Sequence, residues 1–185
     1  MADSLEKQIK KLEGKLKKIS KIEIPRAGSS AINKTLAKAK TRVIRGVSKS
    51  LKLPQKPIRK RVFVGRSSVK TQKGRLAHYR SAVPVVSLLT PGQIAKAPPR
   101  GTNRKGVKAA GRQFDGAFVN RVKNGFQVMQ RKGQARYPIT VLKIPIQKVV
   151  DDVTPKVVAR VAKSEMPRIY KQDLKFRLQK YAVNS

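Results

Sequence analysis

Between Glu23 and Asp115 no carboxylate interrupts the chain, while Lys and Arg recur throughout the interval. A fold built on this stretch must leave its cations in water or set them against phosphate, an acidic protein surface or anionic lipid, because no neighbouring acid neutralises them. The whole chain follows the same bias: 45 Lys and Arg stand against 9 acidic residues, for a net charge of +36. Self-repulsion on that scale opposes compaction and identifies the partner as a polyanion, with nucleic acid as the first reading.

The length of 185 residues fits one domain, and a hydrophobic fraction of 39% supplies a modest core. Trp is absent and aromatics reach only 5%, so stacking platforms for single strands are scarce and contact with a duplex backbone fits better. There is no Cys, hence no disulfide framework, thiol nucleophile or thiolate metal site. No run approaches the length of a membrane span and the first residues lack a secretory apolar core, so the expectation is a protein made in the cytoplasm with no membrane partner.

Leu5, Ile9, Leu12, Leu16 and Ile19 recur at spacings of four and three, with Asp3 or Ser4 placed to cap, which predicts an amphipathic helix over 1–22. Its apolar seam is narrow and its other faces are Lys-rich, so it needs a partner surface, either its own domain or a neighbouring subunit. Pro25 suits the first turn of a second helix over 25–50, which ends before Leu53-Pro54. Lys34, Lys38, Arg42, Arg45 and Lys49 recur every three or four residues along it, a positive stripe about 20 Å long at 1.5 Å per residue. Lys56, Arg59, Lys60 and Arg61 extend the basic region through a Pro-punctuated turn.

Strands are expected at 62–64, 75–80 and 83–89, with Pro84 at an edge or strand start. The segment 90–112, rich in Gly, Pro, Lys and Arg, reads as a long flexible basic loop. Its Arg100, Arg104, Lys105, Lys108 and Arg112 either enter a groove of nucleic acid or belong to a disordered tract. Segments 117–121 and 126–131 flank Asn124-Gly125, the residue pair of a type I′ hairpin turn. An apolar run from Tyr137 to Ile146 follows, and then a helical segment over 148–180 interrupted by Pro155 and Pro167. Helices, then strands, then helices indicate an α+β fold: N-terminal helices, a central mainly antiparallel sheet over 62–146 with its hairpin, and a C-terminal helical segment.

Candidate chemistry is sparse. His78 lies in an expected strand, where a surface or half-buried role outweighs a general base. Asp151 and Asp152 are adjacent, a spacing that does not converge on one site, and suit the positive start of the last helix. No P-loop, dinucleotide fingerprint or nucleophile elbow is present. No cofactor, metal site or catalytic residue is expected, and the chain reads as non-catalytic.

Four segments in order carry a family likeness: Phe114-Asp115-Gly116-Ala117-Phe118-Val119, Val128-Met129-Gln130-Arg131, Arg136-Tyr137-Pro138-Ile139 and Lys143-Ile144-Pro145-Ile146. With Pro25-Arg26-Ala27 and Ala31-Ile32-Asn33, they make the chain resemble the minor tail protein Z family of tailed phages over most of its length. The resemblance implies a virion protein that completes the head-proximal end of a long non-contractile tail, where one end of the packaged genome comes to rest. It implies as partners the tail terminator, tail tube or neck proteins and the end of the double-stranded genome. There is also a distant likeness to small head-tail connector proteins that form rings, an analogy of fold.

A hexameric ring follows as an expectation, its basic helix and loop facing a lumen. Phe114, Phe118, Phe126, Met129, Tyr137, Ile139, Ile144 and Ile146 are its expected subunit or partner contacts. A ring built from domains about 40 Å across would surround roughly two dozen duplex phosphates, too few to match six copies of this charge, so either acidic neighbours take the rest or the copy number is below six. Two readings from other classes compete: a general sequence-nonspecific nucleic-acid-binding protein, and an adaptor that docks on acidic virion proteins without touching DNA.

Overall fold

The computed structural model describes residues 2–97, 106–123, 125–131, 133 and 138–182. Helix α1 (Ala2–Lys18) runs through a π-helical turn (Ile19–Glu23) directly into α2 (Ile24–Leu51). The break expected near Pro25 does not occur. Proline lacks an N–H to donate and is tolerated in a first turn, and the widened π turn absorbs the change of register. Next come α3 (Gln55–Arg59), β1 (Val62–Gly65), β2 (Arg75–His78) and β3 (Val83–Pro84). A 3-10 turn (Val85–Leu88) and α4 (Pro91–Ala95) precede β4 (Val107–Ala109) and β5 (Arg112–Phe114). The last elements are β6 (Ala117–Val122), β7 (Gly125–Arg131), β8 (Ile139–Val141), β9 (Lys143–Ile144) and α5 (Gln147–Ala182). The fold is α+β, with small sheets between long terminal helices. Among the described residues no helix is long and apolar enough to cross a membrane.

Contacts divide the chain into two compact units, one of residues 1–43, 63–77 and 154–185, the other of 44–62 and 78–153. In the first unit α2 and α5 pack antiparallel. Ala27, Ala31, Leu36, Ala39 and Val43 are buried along α2, and Val161 and Ile169 along α5. The 63–77 segment is fastened to α2 by Asn33: its Nδ2 donates to the Ser67 carbonyl (3.0 Å) and its Oδ1 accepts from the Ser67 N–H (2.8 Å). Ser29 Oγ donates to the same carbonyl (3.0 Å). A Cβ at Gly74 would lie 2.4 Å from Leu36 Cδ1 and 2.8 Å from Ile32 Cγ2, so a larger residue there would push these α2 side chains aside.

In the second unit the hairpin β6–β7 pairs Ala117 with Gln130 through to Val122 with Gly125, and β8 adds to β7. Gly125 therefore belongs to the strand, with φ +123°, and is not a central residue of the turn as expected. Beyond β8 the chain changes partner. The Leu142 N–H donates to the Val128 carbonyl (2.9 Å), its carbonyl accepts from Val85 N–H (3.0 Å), and β9 then pairs antiparallel with β3. Val47, Ile58, Val62, Val83, Val85, Val128, Ile146 and Val150 form the core. Each buried aliphatic side chain contributes about 1.5–3 kcal/mol.

Three further expectations are corrected. The 83–89 strand stops at Pro84 and becomes a 3-10 turn. The segment 90–112, expected as a loop, carries α4 and the β4–β5 pair, while its residues 98–105 lie outside the described residues. Thr90 explains α4: its Oγ1 accepts from the Gln93 N–H and Gln93 Oε1 accepts from the Thr90 N–H, a reciprocal cap ahead of Pro91. Finally, α5 runs unbroken through Pro155 and Pro167. Both prolines are exposed, so the carbonyl each leaves unpaired can bond water while the opposite face stays packed.

Candidate polyanion-binding surface

The basic stripe of α2 divides between the two units. In the first unit it meets acids from α5: Lys34 pairs with Asp173, Lys38 Nζ lies 2.8 Å from Glu165 Oε2, and Arg42 Nη2 lies 2.7 Å from Glu165 Oε1. Arg168 joins Glu165 at 3.1 Å. The Lys38 hydrogen bond holds the Glu165 carboxyl at a pKa of about 2, against a partial desolvation that acts the other way. Burial pushes Asp173 up, but hydrogen bonds from Lys34 and Ser30 outweigh it and leave its pKa lowered. Lys34, Lys38 and Arg42 thus have carboxylate partners that the sequence around them lacks. Glu165 and Asp173 were missed as residues of this surface because they lie more than 120 positions downstream. Their eight-residue spacing on one helix was the available signal.

In the second unit the cations sort by exposure and partner. Arg45, Lys49, Lys56, Arg59, Lys60 and Lys108 are exposed and form no ion pair among the described residues. Arg61 and Arg112 are used by the fold. Arg61 Nη2 donates to the Ala82 carbonyl (3.0 Å), and Arg112 Nη2 donates to the Leu51 carbonyl (2.9 Å), one of the orphan acceptors at the end of α2. Arg100, Arg104 and Lys105 lie outside the described residues. Exposed Lys and Arg can hold a phosphate backbone, but such contacts carry no sequence information.

Two other groups differ from their expected places. Asp151 and Asp152 sit beyond the first turn of α5, which starts at Gln147. Asp151 instead accepts from Arg80 Nε (3.2 Å) and lies 3.2 Å from His78 Nε2, so half-buried His78 has a structural partner. Of the apolar contact candidates, Phe118, Ile144 and Ile146 are buried in the second unit's own core, which removes them from any surface a neighbour could touch. Phe114, Met129 and Ile139 are half-buried, Phe126 is exposed, and Tyr137 lies outside the described residues. Phe126 lines an open apolar depression of about 840 Å³ with Pro91, Ile94 and Val119. The α4 half of that depression was hidden in the expected loop, although Thr90-Pro91 and Gln93 spell a helix start.

The sequence profile of the prophage minor tail protein Z family matches residues 5–184. The chain belongs to this family of phage tail proteins. It is 30% identical over 164 residues to the tail completion protein of Escherichia phage N15, covering 86% of this chain and 84% of that protein. It is 28% identical over 164 residues to tail completion protein Z of Escherichia phage lambda, covering 83% and 85%. No solved structure matches it. Family membership makes it a structural component of a phage tail.

Proposed function

We propose that the chain completes the head-proximal end of a phage tail as a non-catalytic protein, joins tail to head, and holds the end of the packaged genome in the tail lumen. The name borne by the N15 and lambda relatives supports the first part. The observation that carries the second is the contrast between units. Lys34, Lys38 and Arg42 are matched by Glu165 and Asp173, whereas Arg45, Lys49, Lys56, Arg59, Lys60 and Lys108 are exposed without an acidic partner among the described residues. Duplex DNA offers about one phosphate charge per 1.7 Å to such cations. Neighbouring copies, the tail terminator and tube or neck proteins are the protein partners in this reading, with Phe126 and its apolar depression as the contact surface. Neither unit is one continuous stretch of chain, which supports a single tail completion domain.

Charge reversal separates the parts of this reading. Particles assembled with the triple variant Arg45→Glu, Lys49→Glu and Lys56→Glu should form tails that fail to retain the DNA end, with the purified variant folded by circular dichroism. Normal retention would overturn the genome-holding role. Cross-linking in assembled particles that joins these residues only to acidic proteins would replace DNA with a protein partner.

A further inference from the structure

Among the described residues the seam of α1 is left largely open. Leu5, Ile9, Leu12 and Leu16 are 61, 52, 58 and 64% exposed. Four large aliphatic residues aligned in water are costly unless another surface covers them, at about 25 cal/mol per Å² of apolar area. The chain does close the C-terminal end of this seam. Ile19 is half-buried, and the next seam position, Glu23, is buried and ion-paired with Arg177 (3.3 Å) and Lys180 (2.5 Å) of α5. The open part therefore runs from Leu5 to Leu16, about 18 Å at 1.5 Å per residue.

The spacing selects the occupant. Residues 5, 9, 12, 16 and 19 follow a strict heptad, with Ile9 and Leu16 at a positions and Leu5, Leu12 and Ile19 at d positions. A lipid surface favours a broader apolar face than this two-position seam. The flanking charges are also ordered. Lys7, Lys10, Lys11, Lys17 and Lys18 fall on b, c and f positions, turned away from the seam, while the e positions beside it hold Glu6 and Glu13. In a parallel, in-register pair Gln8 meets the partner's Glu13 and Lys15 meets the partner's Ser20, so no like charges oppose. An antiparallel pair sets Glu6 against the partner's Glu13 twice. We infer that α1 is a self-association element, its Leu5–Leu16 seam closing in parallel register on the same seam of a second copy of this chain.

The inference stands whether or not the protein touches DNA, because it uses neither the α2 stripe nor Phe126. A chain without native Cys makes its test direct. Leu12→Cys in the full chain should form an interchain disulfide with itself under mild oxidation, at both low and high salt, and Lys11→Cys, one position off the seam, should not. Leu12→Ser with Leu16→Ser should abolish concentration-dependent association in sedimentation while leaving thermal unfolding of the dilute, dissociated chain unchanged, since neither side chain is buried in its own chain. Absence of a Leu12→Cys disulfide, or equal cross-linking at Lys11→Cys, overturns the proposal. So does a mixed disulfide between Ile9→Cys and Leu12→Cys chains without self-linkage of Leu12→Cys, which would mean antiparallel pairing. In assembled particles, a link from Leu12→Cys to a different virion protein, with none between copies, overturns it as well.

Discussion

Asn33 and Glu165 show how much single side chains carry here. Asn33 satisfies both the N–H and the carbonyl of Ser67 from within the first unit, and Asn33→Ala leaves a part-buried peptide without these partners. Chemical denaturation should register a loss of about 1–3 kcal/mol. Glu165 has a different signature. Its carboxyl titrates at about 2 in the folded protein against 4.5 for the ordinary group. A depressed folded pKa means that the ionised form stabilises the fold. The contribution is complete above about pH 4.5 and is lost as pH falls from there towards 2. Glu165→Gln should lower the thermal midpoint at neutral pH, and the gap to the parent should close as the pH approaches 2. A gap that persists unchanged at acid pH would assign the effect to packing.

At the scale of elements, α5 and the 90–112 segment depart most from expectation, and for opposite reasons. Two prolines argued for a broken α5, yet the helix is continuous, with Val161 and Ile169 buried in the first unit and Val150 in the second. Pro167→Ala restores a missing N–H on an exposed position, so the thermal midpoint should rise, by an amount equivalent to as much as about 3 kcal/mol. The 90–112 segment was obscured by composition. Its Gly, Pro and Lys content reads as loop, but the Thr90–Gln93 cap and the Val107–Phe114 pairing give it local order. Gly106 shows why a glycine can belong to such order: with φ +70°, a Cβ there would lie 2.0 Å from the Phe114 carbonyl oxygen. Gly106→Ala should open the β4–β5 pair, seen as faster amide exchange at Val107 and Lys108.

For the whole molecule, the net charge of +36 opposes compaction wherever ion pairs do not offset it. Added salt screens that repulsion over a Debye length that falls from about 10 Å at 0.1 M to about 3 Å at 1 M. The thermal midpoint of the free protein should therefore rise with ionic strength, a trend that scanning calorimetry in potassium chloride would reveal. Screening lowers stability only where favourable ion pairs dominate, so a falling midpoint would mean that the Glu165 and Asp173 pairs outweigh the bulk repulsion.

Local rules were enough for the hairpin, for both N-terminal helices, for the α+β order of elements and for the family likeness around Phe114 to Ile146, because periodicity and turn chemistry act over a few residues. They also located the positive stripe of α2 by its spacing. What they could not supply was the partner of each charged or apolar face. Lys34, Lys38 and Arg42 meet carboxylates from α5, Arg112 closes the end of α2, and Phe118, Ile144 and Ile146 turn inward, whereas Leu5, Ile9, Leu12 and Leu16 remain in water. Each of these outcomes depends on chain segments far apart in sequence coming together, and spacing along one element holds no information about what another element brings to it.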